Sequence, residues 1–313
     1  MPKRIILDCD PGHDDAIAMI LAHGSPEIEL AAITTVAGNQ TIDNVNRNAL
    51  AIATVAGISD VPIAAGTHRS LVEPQFIGDV HGETGLDGPV LPPPTVSLDP
   101  RHGVDLIIDT VMSAPPGEIT LVPTGPLTNI AFAVRKEPRI VERVKEVVLM
   151  GGAYHGGNYS AAAEFNIAVD PEAAHIVFGE PWPLTMIGID LTHQALATTE
   201  VIERITAIGG PVSRFVVDIL DFFTQSYRDT QGFAAPPVHD PCAVAYVIDP
   251  AVLTTRKAPV RIELTGTRTR GMTVADFRSD PGPDCTTSVG VTLDRDRFWN
   301  LVIDAIERLS PRP

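Results

Sequence analysis

The stretch Ile5-Ile6-Leu7-Asp8-Cys9-Asp10-Pro11-Gly12-His13-Asp14-Asp15-Ala16 decides the reading of this chain. A short apolar run ends in aspartate, a Pro-Gly turn comes next, and two more acids open an alanine-rich helical pattern closed by Gly24 and Pro26. Strand, tight turn and helix in that order are the first half of a β-α-β crossover, the unit of parallel sheets. Four carboxylates within eight residues repel one another unless a cation or hydrogen-bond donors offset the charge. Only oxygen ligands are on offer, so the cation would be a hard one, and a flexible multi-carboxylate loop favours Ca²⁺ over Mg²⁺. Asp14 and Asp15 also have a plainer use, since acids are favoured in the first turn of any helix.

Working outward, strand-like runs at Arg4–Leu7, Leu30–Val36, Val61–Ala64, Ile119–Val122, Glu146–Met150 and Leu184–Ile189 alternate with helical patterns. The helices expected are Asp14–His23, Thr41–Ala56, Val104–Met112, Pro126–Lys136, Pro171–Phe178, Pro211–Thr230 and Asp296–Leu309. The alternation predicts an α/β fold: an open, mostly parallel twisted sheet of Rossmann-like type, flanked by helices and built as a single domain over residues 1–313. Val260–Leu264, Met272–Phe277 and Val289–Leu293 read as a small antiparallel addition. Gly66 to Pro100 contains Pro89, Pro92, Pro93 and Pro94 and cannot be a continuous helix or central strand; it reads as a long surface excursion.

The 313 residues are 44% hydrophobic, enough for a sizeable core, and 23 basic against 39 acidic side chains leave a net charge of −16. That field repels phosphate backbones and anionic lipid, so neither nucleic acid nor a membrane is an expected partner. No apolar run approaches the roughly 20 residues of a membrane span. Cys9, Cys242 and Cys285 fit no zinc spacing, and the apolar run before Asp8 is too short for a signal-peptide core, so a cytoplasmic location is expected.

Ligands of open parallel sheets bind beyond the carboxyl ends of the strands. The residues just past each strand are therefore informative: Asp8 to Asp15, then Asn39, Thr124-Gly125, Gly151-Gly152 and Asp190. A second constellation, Gly151 to Asp170, holds His155, Asn158, Glu164, Asn166 and Asp170, the acids and amides that sugar hydroxyls require. A third is His239-Asp240 at the start of an apolar helix, where Asp240 is either an N-cap or a metal ligand and His239 a proton donor. An EF-hand starting at Asp8 fails, because its sixth and twelfth positions are His13 and Met19. A phosphatase of the strand-Asp-x-Asp type is a poor match, with Pro11 and Gly12 where threonine or valine normally stands.

Taken together, Asp8-x-Asp10-x-Gly12-x-Asp14-Asp15, Asn39, Pro123-Thr124-Gly125-Pro126-Leu127-Thr128-Asn129, Met150-Gly151-Gly152, Glu164-Phe165-Asn166, His239-Asp240 and Met272-Thr273-Val274-Ala275-Asp276 resemble the inosine-uridine preferring nucleoside hydrolases along nearly the whole chain. The resemblance implies calcium-dependent hydrolysis of the N-glycosidic bond of ribonucleosides. It assigns Ca²⁺ to Asp10, Asp15, Asp240 and the Thr124 carbonyl, with Asp10 taking the proton of the attacking water. Asp14, Asn39, Asn158, Glu164 and Asn166 would hold the ribose, with Met150 and Phe165 beside it, and Asp8 would support the cluster. His239 would be the leaving-group acid, with Tyr227 closing over the base and His81 on the family's entrance loop. A homo-oligomer, dimer or tetramer, is implied as well. His13 stands where relatives are often apolar and is expected at the surface or helix start. The rivals from other classes are the metal-dependent phosphatase and a non-catalytic, calcium-dependent nucleoside binder.

Overall fold

The computed structural model describes residues 1–78 and 80–310. In chain order the elements are β1 (Lys3–Cys9), α1 (His13–Gly24), β2 (Ile28–Thr35), α2 (Ile42–Ala56), β3 (Ile63–Ala65), α3 (Gly103–Ser113), β4 (Ile119–Pro123), α4 (Thr128–Lys136), β5 (Glu146–Met150), α5 (Phe165–Val169) and α6 (Pro171–Gly179). The second half adds β6 (Leu184–Ile187), α7 (Ile189–Thr192), α8 (Thr199–Ile208), α9 (Gly210–Gln231), α10 (Pro241–Ile248), β7 (Leu253–Lys257), β8 (Val260–Ile262), β9 (Thr273–Ala275), β10 (Thr287–Leu293) and α11 (Arg295–Leu309).

Eight strands form one sheet in the order β3-β2-β1-β4-β5-β6-β10-β7, parallel throughout except for β7, which runs antiparallel to β10. Helices cover both faces, so central strands must be apolar on both sides, and successive residues feed opposite layers. In β1, Ile5, Leu7 and Cys9 join the layer that includes α1 and α11, whereas Ile6 joins the layer of α3, α4 and α6. In β5, Val148 and Met150 face the first layer, Val147 and Leu149 the second. Truncating such a residue, Leu7→Ala for instance, would cost about 2–5 kcal/mol.

From β1 the chain winds outward to β3 on one side, then returns to lay β4 on the other side of β1. That reversal opens a crevice at the carboxyl ends of β1 and β4, where the Asp8–Asp15 turn and Thr124 emerge.

One expectation needs correction. Only β8 and β9 make the small antiparallel pair; the run at Val289–Leu293 belongs to β10, which lies parallel to β6 within the main sheet. Val289 is fully buried there, and the alternating pattern that suggests a hairpin serves equally for an inner strand between two neighbours. Helix α8 and strand β7 are additions to the elements expected from the sequence. The excursion from Gly66 to Pro100 has no helix or strand among its described residues.

Candidate active site

The turn after β1 is built by its own backbone needs. The Gly12 N–H donates to Asp15 Oδ2 (3.0 Å), capping α1, and Asp15 Oδ1 accepts from the Thr124 hydroxyl (2.9 Å), which ties β1 to β4. Asp15 therefore does both things the sequence allows, capping its helix and joining an acidic cluster. Carboxylate oxygens of Asp14, Asp15 and Asp240 lie within 4.8 Å of one another, although Asp240 is 225 residues or more along the chain from its partners. The main-chain N–H of His239 donates to Asp14 Oδ2 (3.2 Å), so the start of α10 is fastened directly to the start of α1. Asp240 makes no side-chain cap on α10, which opens with Pro241 instead, leaving the carboxylate to the cluster.

Asp10 forms the adjoining wall. Its Oδ2 accepts the Asn39 N–H (2.6 Å), its main-chain carbonyl accepts Asn39 Nδ2 (3.2 Å), and its buried Oδ1 has no hydrogen-bond partner. Gly38 and Gly125 press against this carboxylate so closely that neither position has room for a Cβ. Asp8, beneath, accepts from Thr34 Oγ1 (2.6 Å) and Asn129 Nδ2 (2.7 Å). Burial pushes the carboxyls of Asp10, Asp14, Asp15 and Asp240 upward; repulsion by neighbouring carboxylates adds to this at Asp10, Asp14 and Asp240, whereas at Asp15 hydrogen bonds to Gly12, Thr124 and Asp240 oppose it. Asp8 is raised to about 7 chiefly by burial. Buried acids that repel one another, with Asp10 Oδ1 and Asp8 Oδ2 both left without a hydrogen-bond partner, make an all-oxygen donor set suited to a hard divalent cation.

Over the cluster opens a cleft of about 460 Å³ lined by Asp14, Asn39, Thr124, Met150, Asn158, Glu164, Phe165, Asn166, Tyr227, His239, Asp240 and His81. Glu164 caps α5: its oxygens accept from the N–H groups of Gly152 (2.8 Å), Asn166 (2.9 Å) and Ile167 (3.2 Å), while burial lifts its pKa to about 7. Gly152 can present that N–H because it has no side chain at a φ of 79°. Asn158 Oδ1 accepts the Phe165 N–H (2.9 Å), and Asn166 Nδ2 donates to the carbonyls of Thr124 (2.7 Å) and Met150 (3.2 Å). The amides thus order the rim as well as facing the cleft.

His239 is buried, and burial lowers its pKa to about 3. Its Nδ1 shares a 2.7 Å hydrogen bond with Thr192 Oγ1, and its Nε2 one of 2.7 Å with Tyr227 Oη. Thr192, on α7 just after β6, is a residue that sequence reasoning misses; its one signal is its place at a strand's carboxyl end, two residues beyond Asp190. Thr230, Gln231, Ile77 and Tyr159 also line the cleft and carry no such signal.

Some expected residues lie elsewhere. Asp170 caps α6 through Ala173 N–H (3.0 Å) and accepts from Thr128 Oγ1 (2.7 Å) and Leu71 N–H (2.9 Å), which makes it a structural acid. His155 is exposed and pairs with Asp190 (2.7 Å). His13, expected at the surface or helix start, is the first residue of α1 and is fully buried against aromatic rings.

The family model of inosine-uridine preferring nucleoside hydrolases matches residues 5–300. The chain belongs to that family. It is 59% identical, over 99% of both chains, to the inosine-uridine preferring nucleoside hydrolase of Crithidia fasciculata. It is 46% identical, over 97% of both, to a pyrimidine-specific ribonucleoside hydrolase of Escherichia coli. Among solved structures, a purine-preferring ribonucleoside hydrolase from Gardnerella vaginalis superposes with a TM-score of 0.92 at 36% identity, covering 98% of this chain and 99% of that one. Membership of the nucleoside hydrolases makes the protein an N-glycosyl hydrolase of ribonucleosides and sets aside the phosphatase and non-catalytic readings. Among the described residues, no helix is long and apolar enough to cross a membrane.

Proposed function

We propose that this nucleoside hydrolase is calcium-dependent and releases the base from both purine and pyrimidine ribonucleosides, inosine and uridine among them. The substrate range rests on the names of its relatives at 59% identity. The calcium rests on one observation above all: Asp10 Oδ1, buried and without a partner, beside three other carboxylates that repel it. Asp10, Asp15, Asp240 and the Thr124 carbonyl would hold the ion. Calcium bound there would orient a water and favour its deprotonation.

Cleaving the glycosidic bond makes the sugar cationic and the departing base anionic. Asp14, Glu164, Asn39 and Asn158 line the cleft and in this reading favour the first charge; Met150, Phe165 and Asn166 shape the wall around them. Asp10 Oδ1 is the oxygen free to take a proton from water. On the leaving-group side, Thr192, His239 and Tyr227 form one hydrogen-bonded chain facing the cleft. In the free enzyme the ring is neutral, since burial disfavours its charged form; negative charge growing on the base raises its proton affinity. With substrate bound, His239 would take a proton from solvent, pass it to the base nitrogen as the glycosidic bond breaks and end neutral again; Tyr227 is its hydrogen-bond partner, and His81 stands at the entrance.

Three free thiols, two of them buried, suit a reducing cytoplasm. The family resemblance supports a homo-oligomer, measurable by light scattering. The decisive assay tracks hypoxanthine and uracil release from inosine and uridine, with and without chelator and with calcium restored. Activity on both nucleosides, lost to chelator and recovered with calcium, is the expected result; unchanged activity after chelation overturns the metal assignment.

A further inference from the structure

Val80 and His81 line the cleft, and the segment 80–88 that carries them contains no helix or strand. Such a segment has little backbone pairing of its own, so its order depends on what grips it from outside. The grip comes from an unexpected place. His13, at the first turn of α1, is fully buried, and its main-chain N–H donates to His81 Nδ1 (3.2 Å). Its ring reaches the same segment twice: Nδ1 lies 3.0 Å from His81 Nδ1, and Nε2 lies 2.8 Å from the carbonyl oxygen of Asp87.

The ring is also stacked on Phe222 and Phe223 of α9, at centroid distances of 5.0 and 5.1 Å and nearly parallel. His13 therefore holds the segment at both ends of its turn, His81 through its main-chain N–H and Asp87 through its ring Nε2–H, and the ring docks the segment on α9. A second tie supports that arrangement, with Ser226 of α9 donating from Oγ to the carbonyl of Val80 (2.6 Å). Within the segment, the N–H groups of Glu83 (2.9 Å) and Thr84 (3.1 Å) donate to the Asp87 carboxylate, so Asp87 closes the turn that His13 holds. An aliphatic side chain at position 13 could fill the space between the phenyl rings, but it could make neither ring contact.

We propose that His13 is a positioning residue that fastens His81 and Asp87, so that the wall of the cleft over residues 80–88 is already ordered before substrate arrives. A wall ordered in advance spares the binding step the entropy of ordering it. The consequence falls on binding rather than on chemistry, because the His13 ring nitrogens reach His81 and Asp87 and neither the sugar-facing carboxylates nor the Thr192–His239–Tyr227 chain. The kinetic part of this inference rests on the nucleoside hydrolase reading; the structural part does not.

The test compares wild type with His13→Leu and His13→Gln in the full-length protein. In ligand-free His13→Leu, backbone amide exchange of residues 80–88 should accelerate about tenfold or more while β1 and α9 keep their wild-type rates. KM for inosine should rise about fivefold with kcat within about twofold, the pattern of lost uniform binding. His13→Gln, whose amide retains a donor for the Asp87 carbonyl, should fall between the two. Unchanged exchange and unchanged KM in His13→Leu would reduce His13 to a space-filler and overturn the proposal. Should neither variant fold, wild type decides: slow exchange at Glu83, Thr84 and Asp87 in the free protein supports it, and random-coil exchange there refutes it. Altered exchange with no inosine turnover in any form would sink the substrate reading and leave the fastening role standing.

Discussion

His239 shows how an environment assigns a job to a side chain. In water a histidine carries a proton about half the time near pH 6.5. Here burial holds the ring neutral, with a pKa of about 3, and both nitrogens are engaged, by Thr192 on one side and Tyr227 on the other. An acid of this kind acts only when the substrate develops charge, so its worth depends on how much the leaving group needs a proton. His239→Ala should lower kcat on inosine by about 10² to 10⁴, while a nitrophenyl riboside, whose leaving group is stable as an anion, should lose less than about tenfold. Parallel steady-state assays on the two substrates check this, and equal losses would remove the acid role. At this scale the acids of the β1–α1 turn are legible in the sequence because they are contiguous, and local Coulomb repulsion makes them conspicuous. Thr192 and Asn129 are not. Their partners His239 and Asp8 lie 47 and 121 residues away, and neither a Thr at the end of a short helix nor an Asn at the start of one carries a mark of what it will meet.

Among the elements, α5 is too short to stand alone, with five residues and a buried glutamate as its cap. Three N–H groups donate to Glu164, which favours the carboxylate, yet removal from water outweighs them and its folded pKa lies near 7 against an ordinary value of 4.5. Because the folded state binds this proton more tightly than the unfolded chain, the associated stability is fully present below about pH 4.5 and is lost as the pH rises through about 7. Wild type should therefore lose stability relative to Glu164→Gln between those limits, by up to roughly 3 kcal/mol. Denaturant unfolding of both proteins at pH 4.5 and pH 8 measures the difference; a constant gap between them would contradict the shift. The helices and parallel strands are legible because apolar period and Gly-Pro stops are local signals. The place of β10 is not, since five alternating residues say nothing about which neighbour they will pair with, and the edge vacancy beside β6 exists only after the rest of the sheet has formed.

For the molecule as a whole, the acidic cluster joins α1 to α10, so a cation bound there as proposed would couple binding to global stability. Calcium bound to the folded state alone should raise stability by about 2.7 kcal/mol at a hundred times its dissociation constant. Thermal unfolding with calcium and with chelator should show the gain, and Asp240→Asn should abolish most of it. A Tm indifferent to calcium would mean that the acids are stabilised by something else.

The contact between His239 N–H and Asp14 Oδ2 spans 225 residues. While the polypeptide is still being synthesised, the first two-thirds can lay down β1 to β6, but the acidic turn waits without its distant closing partner until α10 has emerged and docked. A truncated product would thus be inert rather than a loosely specific glycosidase, and biosynthesis itself keeps activity from preceding the finished fold.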